Sequence, residues 1–156
     1  MRKEDTVDHQ IKSVWHAISR MYNQQAGKHS ITTAIGFVLL NIHGEAGTPA
    51  TKIAPLMGLE SRSLIRMLKT MEERKLIYRV QDPVDKRSVR IHLTDLGKEK
   101  KEISRDTVLT FNNKVRQEIP SQKLKTFFEV MLSINKLACH GVSSEQKAQK
   151  EKLSAS

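Results

Sequence analysis

Arg62, Arg66 and Lys69 stand four and three residues apart, a spacing that puts three cations on one face of a helix, and Ser61 and Ser63 place short hydroxyls near its start. A second cationic group follows at Lys86, Arg87 and Arg90, with Arg74 between the two groups and Asp85 beside the second. Guanidinium and ammonium groups stay protonated at neutral pH, so their chemistry here is recognition rather than proton transfer. Arginine can donate two parallel hydrogen bonds to a guanine edge, and lysine meets phosphate as a point charge. Residues 61–92 carry nine Lys and Arg against four Asp and Glu, in a chain whose 27 bases and 17 acids give a net charge of +10. That is the electrostatic footprint of a polyanion binder, although an ordinary solvated basic face gives the same count, so the elements that carry the charges have to decide.

Other chemistry is hard to find. The chain has no GxSxG, Walker, Rossmann or CxxC pattern, and Glu72 and Glu73 are neighbours that diverge on a helix, so no catalytic constellation is visible. The six histidines, His9, His16, His29, His43, His92 and His140, form no HExxH or clustered pattern, and neither a metal nor any other cofactor is expected. Cys139 has no second cysteine to pair with and falls in an apolar stripe, where it reads as a buried, inert thiol. The apolar run Ile35 to Leu40 is far shorter than the ~20 residues that cross a bilayer, and Met1 to Gln10 mixes acids and bases. No membrane partner is expected, and a bacterial-type cytoplasm or a nucleus fits; the cytoplasm is the expected location.

The positioning elements are mostly helices. Val7, Ile11, Val14, Trp15, Ile18, Met21 and Tyr22 make one apolar face of a first helix closed by Gly27. A second opens near Ser30 or Thr32, is apolar on most sides through Ile42, and stops at Gly44. Thr48 and Pro49 read as the start of a short third helix, which Pro55 should shorten or kink. After the turn at Gly58 and Leu59, Ser61 can cap a fourth helix with Leu64, Met67, Leu68 and Met71 inward and the cations outward. Ile77 to Val80 and Val89 to Leu93 then read as two strands joined by a turn containing Asp82, Pro83 and Asp85. Thr94 or Asp95 caps a fifth helix towards Val115; Pro120 and Ser121 open a sixth, with Leu124, Phe127, Phe128, Met131, Leu132, Ile134 and Leu137 along it. Beyond Gly141 the chain is polar and reads as a mobile or loosely helical tail.

Two short helices joined by a glycine turn, the second basic outside, followed by a basic-tipped hairpin, have the order of a winged helix-turn-helix. Within it, Asp85, Arg87, Ile91, Leu93 and Thr94, in the run DKRSVRIHLT, with Gly97 behind, resemble the wing signature of the MarR (multiple antibiotic resistance regulator) family. Thr48 to Leu59 looks like that family's third helix, and Ser61 to Ile77 like its recognition helix, with Met71, Glu72 and Leu76 at family positions. Lys75 stands where a glycine commonly ends the recognition helix, and Pro55 where a polar residue is usual.

The resemblance implies a mainly α fold with a small β-hairpin wing: a winged helix-turn-helix core plus a helical dimerisation region drawn from both chain ends. The expected division is 1–30 for an N-terminal dimerisation helix, 31–97 for the DNA-binding core, 98–141 for C-terminal dimerisation helices and 142–156 for the tail. It further implies a homodimeric bacterial regulator, usually a repressor, that binds pseudo-palindromic double-stranded DNA and is often released by a small-molecule effector. Arg87 matches the wing arginine that enters the minor groove, and Asp85 the aspartate that helps hold it. Ser61, Arg62, Ser63, Arg66, Lys69, Arg74, Lys86 and Arg90 complete the expected DNA surface. An effector pocket is expected near the first, second and fifth helices, with Trp15 as a candidate for its wall. The alternative reading is an architectural protein that coats DNA with little sequence preference, separable by its ratio of specific to random binding.

Overall fold

The computed structural model describes the backbone of residues 2–154 and the side-chain surroundings of Arg2 and of residues 4–139. After a single 3₁₀ turn at Lys3–Asp5, the order is α1 (Val7–Gly27), α2 (Thr33–Leu40), β1 (Thr48–Pro49), α3 (Ala50–Leu56), α4 (Ser61–Glu73), β2 (Ile77–Gln81), β3 (Val89–Leu93), α5 (Asp95–Glu118) and α6 (Ser121–Ser154). The chain divides into two compact units, Met1–Leu109 and Thr110–Ser156.

The first unit is built round the apolar positions the sequence marks. Val38, Leu39 and Ile42 from α2 and its exit, Ile53 from α3, Leu68 and Met71 from α4, and Ile77 and Ile91 from the strands are fully buried in one cluster. Each such side chain contributes roughly 1.5–3 kcal/mol relative to exposure, so the strands and helices hold each other by this shared interior. Asn23 fastens α1 to α2, its carbonyl accepting from the Thr33 hydroxyl at 2.8 Å and the Thr33 amide at 3.3 Å.

Helix ends follow a common local rule. At the end of α4 the amide of Leu76 donates to Met71 and that of Lys75 to Glu72, both at 2.9 Å, with Lys75 in the left-handed region at φ 57°. This is a Schellman closure, with buried Met71 and Leu76 supplying its apolar contact. Gly58, at φ 60°, closes α3 in the same pattern, its own amide donating to Pro55 and that of Leu59 to Ala54. Lysine at a left-handed position carries the Cβ crowding that glycine avoids.

Three sequence expectations are corrected. Thr48 and Pro49 do not open a helix: they form β1, an edge strand pairing antiparallel with β3 through Thr48↔Ile91 and Pro49↔Arg90, so the sheet has three strands in the order β1-β3-β2. The Thr48 hydroxyl accepts from the His43 amide at 2.8 Å, closing the preceding loop instead of capping α3. Ser61 is the first residue inside α4, whose N-cap is Glu60. Cys139, expected to be buried, is exposed, its Sγ 3.8 Å from the Asn135 side-chain oxygen; α6 itself runs on to Ser154, helical through the tail that the sequence reads as mobile or loosely helical. The caps at Thr32, which accepts from the Ile35 amide at 3.2 Å, and at Thr94, which accepts from the Gly97 amide at 3.0 Å, stand where the sequence placed them. Ala155 and Ser156, part of the expected tail, lie outside the described residues.

Candidate nucleic-acid interface

Helix α4 buries Leu64, Leu68 and Met71, exposes Arg62, Ser63, Arg66 and Lys69 on its other side, and leaves Ser61 exposed as its first residue. The burial period fixes the rotation: with three inward positions committed to the core, the cations have only solvent to face. Ile65, 59% exposed, lies among them one turn from Ser61 and Lys69, an apolar position that charge patterning alone does not flag.

The hairpin β2–β3 is registered by Ile77↔Leu93, Tyr78↔His92, Arg79↔Ile91, Val80↔Arg90 and Gln81↔Val89, and its connecting loop is organised by two aspartates. Asp85 accepts from the Arg87 amide at 3.0 Å and from the Ser88 hydroxyl at 2.7 Å. It therefore holds the wing arginine by its backbone, not by its guanidinium. Asp82, only 6% exposed, accepts the amides of Val84 at 2.9 Å and Asp85 at 3.0 Å on one oxygen and the Arg90 Nε at 2.7 Å on the other. The Asp85 and Val84 amides, then the Arg90 guanidinium, hold the Asp82 carboxyl below the usual carboxylate range against the opposing effect of burial.

The side chains of Arg62, Arg66, Lys69, Lys86 and Arg87 make no hydrogen bond or ion pair with the described residues, leaving five cations for an external partner. Two other candidates are engaged within the fold. Arg74 donates to the carbonyl of Ser30, tying the end of α4 to the α1–α2 loop. Arg90, beside its bond to Asp82, donates Nη1 to the carbonyls of Ala46 at 3.1 Å and Gly47 at 3.3 Å. Their sequence positions gave no sign of this, because the accepting carbonyls lie 43 or 44 residues away. Asp82 was legible only as a turn residue, although aspartate before proline is a common way to accept amides further along a turn.

Trp15 is 52% exposed and lines a groove of about 500 Å³ with Asn23, Phe37, Met57, Leu59 and Met67. The groove lies against α3 and α4, not α5. Where α1, α2 and α5 meet, beside Tyr22, Phe37 and Ser104, the cavity is only about 30 Å³, room for little more than a water. The expected pocket at those three helices is thus closed in the single chain. Among the described residues no group of three or more His, Cys, Asp or Glu side chains converges on a point that could hold a metal ion, and no helix is long and apolar enough to cross a membrane.

Comparison with known proteins places this geometry. Residues 31–89, from just before α2 to the first residue of β3, match the MarR family. YhbI of Bacillus subtilis (strain 168), an uncharacterized HTH-type transcriptional regulator, is 29% identical over 108 residues, covering 69% of this chain and 70% of that protein. The fold is similar to that of S. aureus MepR in a DNA complex, with a TM-score of 0.75 at 22% identity over 82% of this chain and 97% of that one. It is also similar to PcaV from Streptomyces coelicolor in complex with its natural ligand, with a TM-score of 0.76 at 18% identity over 88% of this chain and 97% of that one. With the family's wing run in place on the hairpin, and the helix-turn-helix carried by α3 and α4, residues 31–89 carry the winged helix-turn-helix of the MarR family, and the curated relative that extends this likeness over most of the chain is a transcriptional regulator.

Proposed function

We propose that this chain acts as a homodimeric, sequence-specific repressor on a pseudo-palindromic operator. The observation that carries the reading is the set of five unengaged cations on two adjoining elements, Arg62, Arg66 and Lys69 on α4 and Lys86 and Arg87 at the wing. On this reading the start of α4, with Ser61 and Ser63, reads base edges in the major groove, Lys69 meets phosphate, and Arg87 enters the adjacent minor groove. Asp85 presents Arg87, while Arg74 and Arg90 act from within the protein.

Dimerisation is supported by apolar surface at both chain ends. Val7, Val14 and Trp15 on α1, and Phe127, Phe128, Leu132 and Leu137 on α6, are each at least half exposed in the single chain. At roughly 1.5–3 kcal/mol for each side chain fully buried, covering this surface is enough to offset an association cost on the order of 4–15 kcal/mol. Residues 1–30 and 98–141 then serve assembly and 31–97 serve DNA, with 142–156 as a polar extension. A small, largely apolar effector seated in the Trp15 groove, against α3 and α4, would release DNA by shifting the reading heads from a half-site separation of about 34 Å.

The test is binding to the DNA upstream of the chain's own reading frame, against scrambled DNA at one salt concentration. A preference of ~10³-fold or more supports a regulator, and near-equal binding supports the coating protein. Sedimentation at micromolar concentration should show a dimer; a stable folded monomer would remove the palindromic part of the reading.

A further inference from the structure

We propose that Asp82 and Arg90 form a clamp that positions the wing, with Arg90 acting as a positioning residue and not as a DNA contact. The inference rests on the DNA-binding reading above and adds to it the part of the fold that aims Arg87. The loop between β2 and β3 has few apolar anchors: Val84 is 90% exposed at its tip, and Lys86 and Arg87 face solvent. Its shape is therefore set by polar contacts: Asp85 holds the Arg87 amide and the Ser88 hydroxyl, and the contacts that tie the tip to the rest of the fold pass through the buried Asp82 carboxylate.

Asp82 gathers the tip through the amides of Val84 and Asp85, and its second oxygen passes the restraint to Arg90 Nε at 2.7 Å. Arg90 extends it to the carbonyls of Ala46 and Gly47, in the loop leading to β1. The wing tip is thus braced through one guanidinium against a loop on the far side of β3. Only arginine presents planar donors in several directions at once, so lysine keeps the charge but cannot span these partners. A wing held before binding does not have to be ordered on the DNA, and that saving appears as affinity.

The experiment compares Asp82→Asn, Arg90→Lys, Arg90→Gln and the double variant Asp82→Asn/Arg90→Gln with the full-length wild type, on operator and scrambled DNA over a range of salt. The discriminating sign belongs to Asp82→Asn. It removes a negative charge from a DNA-binding face, so charge alone makes binding tighter, whereas loss of the clamp makes operator binding about tenfold weaker. Arg90→Lys should weaken operator binding similarly with an unchanged salt slope, and the double variant should be no weaker than the worse single one. Hydrogen exchange supplies a readout that needs no DNA: the Val84 and Asp85 amides should exchange faster in Asp82→Asn while those of Ile53 and Leu68 stay protected, which excludes general unfolding.

Tighter or unchanged operator binding by Asp82→Asn overturns the proposal. So does an Arg90→Lys variant that matches wild type while Arg90→Gln loses about one unit of salt slope, the pattern of a phosphate contact. If the wild type prefers no DNA, the regulator reading fails by itself, and the exchange of the Val84 and Asp85 amides alone decides whether the clamp exists.

Discussion

Gly97 offers the most direct test of how α5 is seated behind the DNA-binding elements. A Cβ at this position would stand 1.9 Å from the Leu76 carbonyl oxygen, whereas ordinary contact begins at 3.4 Å, so Gly97→Ala requires a displacement of about 1.5 Å against backbone. The displaced junction is hydrogen-bonded: the Thr94 amide donates to Leu76 at 3.1 Å, the Thr94 hydroxyl to Lys75 at 2.6 Å, and the Gly97 amide to the Thr94 hydroxyl at 3.0 Å. Overpacking at about 1–3 kcal/mol, with two of these bonds weakened at about 1 kcal/mol each, gives an expected loss of about 3–5 kcal/mol. That is a large part of a typical stability of about 5–15 kcal/mol. Urea unfolding followed by circular dichroism, at one fixed protein concentration because assembly contributes to stability, measures it. Gly27→Ala is the internal control: its Cβ would meet nothing within 4 Å, and its effect should lie within about 0.5 kcal/mol of zero. A Gly97→Ala loss below about 1 kcal/mol would refute the claim that this close approach fixes the start of α5.

Lys75→Gly should stabilise the protein by about 0.5–1 kcal/mol, because the residue sits at φ 57° and glycine removes the Cβ crowding, though its looser unfolded chain returns part of the gain; a lower urea midpoint would contradict this. Arg66→Ala should cost about 1–3 kcal/mol on operator DNA and relax preference at one base pair, whereas Lys69→Ala should weaken all sequences alike and lower the salt slope by about one unit. Arg87→Ala should blunt any preference for A·T-rich DNA flanking each half-site, read by binding to flank variants. The wing should hold throughout the neutral and mildly acid range. The folded pKa of Asp82 lies below its unfolded value of about 3.9, so its contribution is present above that value and fades as pH falls through the lower folded one. A carboxyl ¹³C titration with the Asp82 midpoint at or above about 3.9 would show that the amide and arginine bonds do not hold in solution.

The sequence by itself determined most of the helices, the hairpin and the identity of the cationic face. These features are periodic or local: Leu64, Leu68 and Met71 set the rotation of α4, Thr32 and Thr94 cap their own helices, and alternation through Val89, Ile91 and Leu93 marks β3. Each is encoded within a few residues of where it acts, so a one-dimensional reading finds it. Tertiary structure alone decided that Thr48 and Pro49 pair with β3 and that the Trp15 groove lies against α3 and α4. It also decided that Arg90 turns inward while Arg87 does not. The two arginines stand three residues apart in the same basic run, and nothing in their local pattern separates them. What separates them is a buried carboxylate eight residues before Arg90 and two carbonyls 43 and 44 residues before it, brought together only when the strands pair. Charge is a property of the residue, but whether that charge meets solvent or the protein's own polar groups is set by contacts between distant parts of the chain, which composition and spacing do not record.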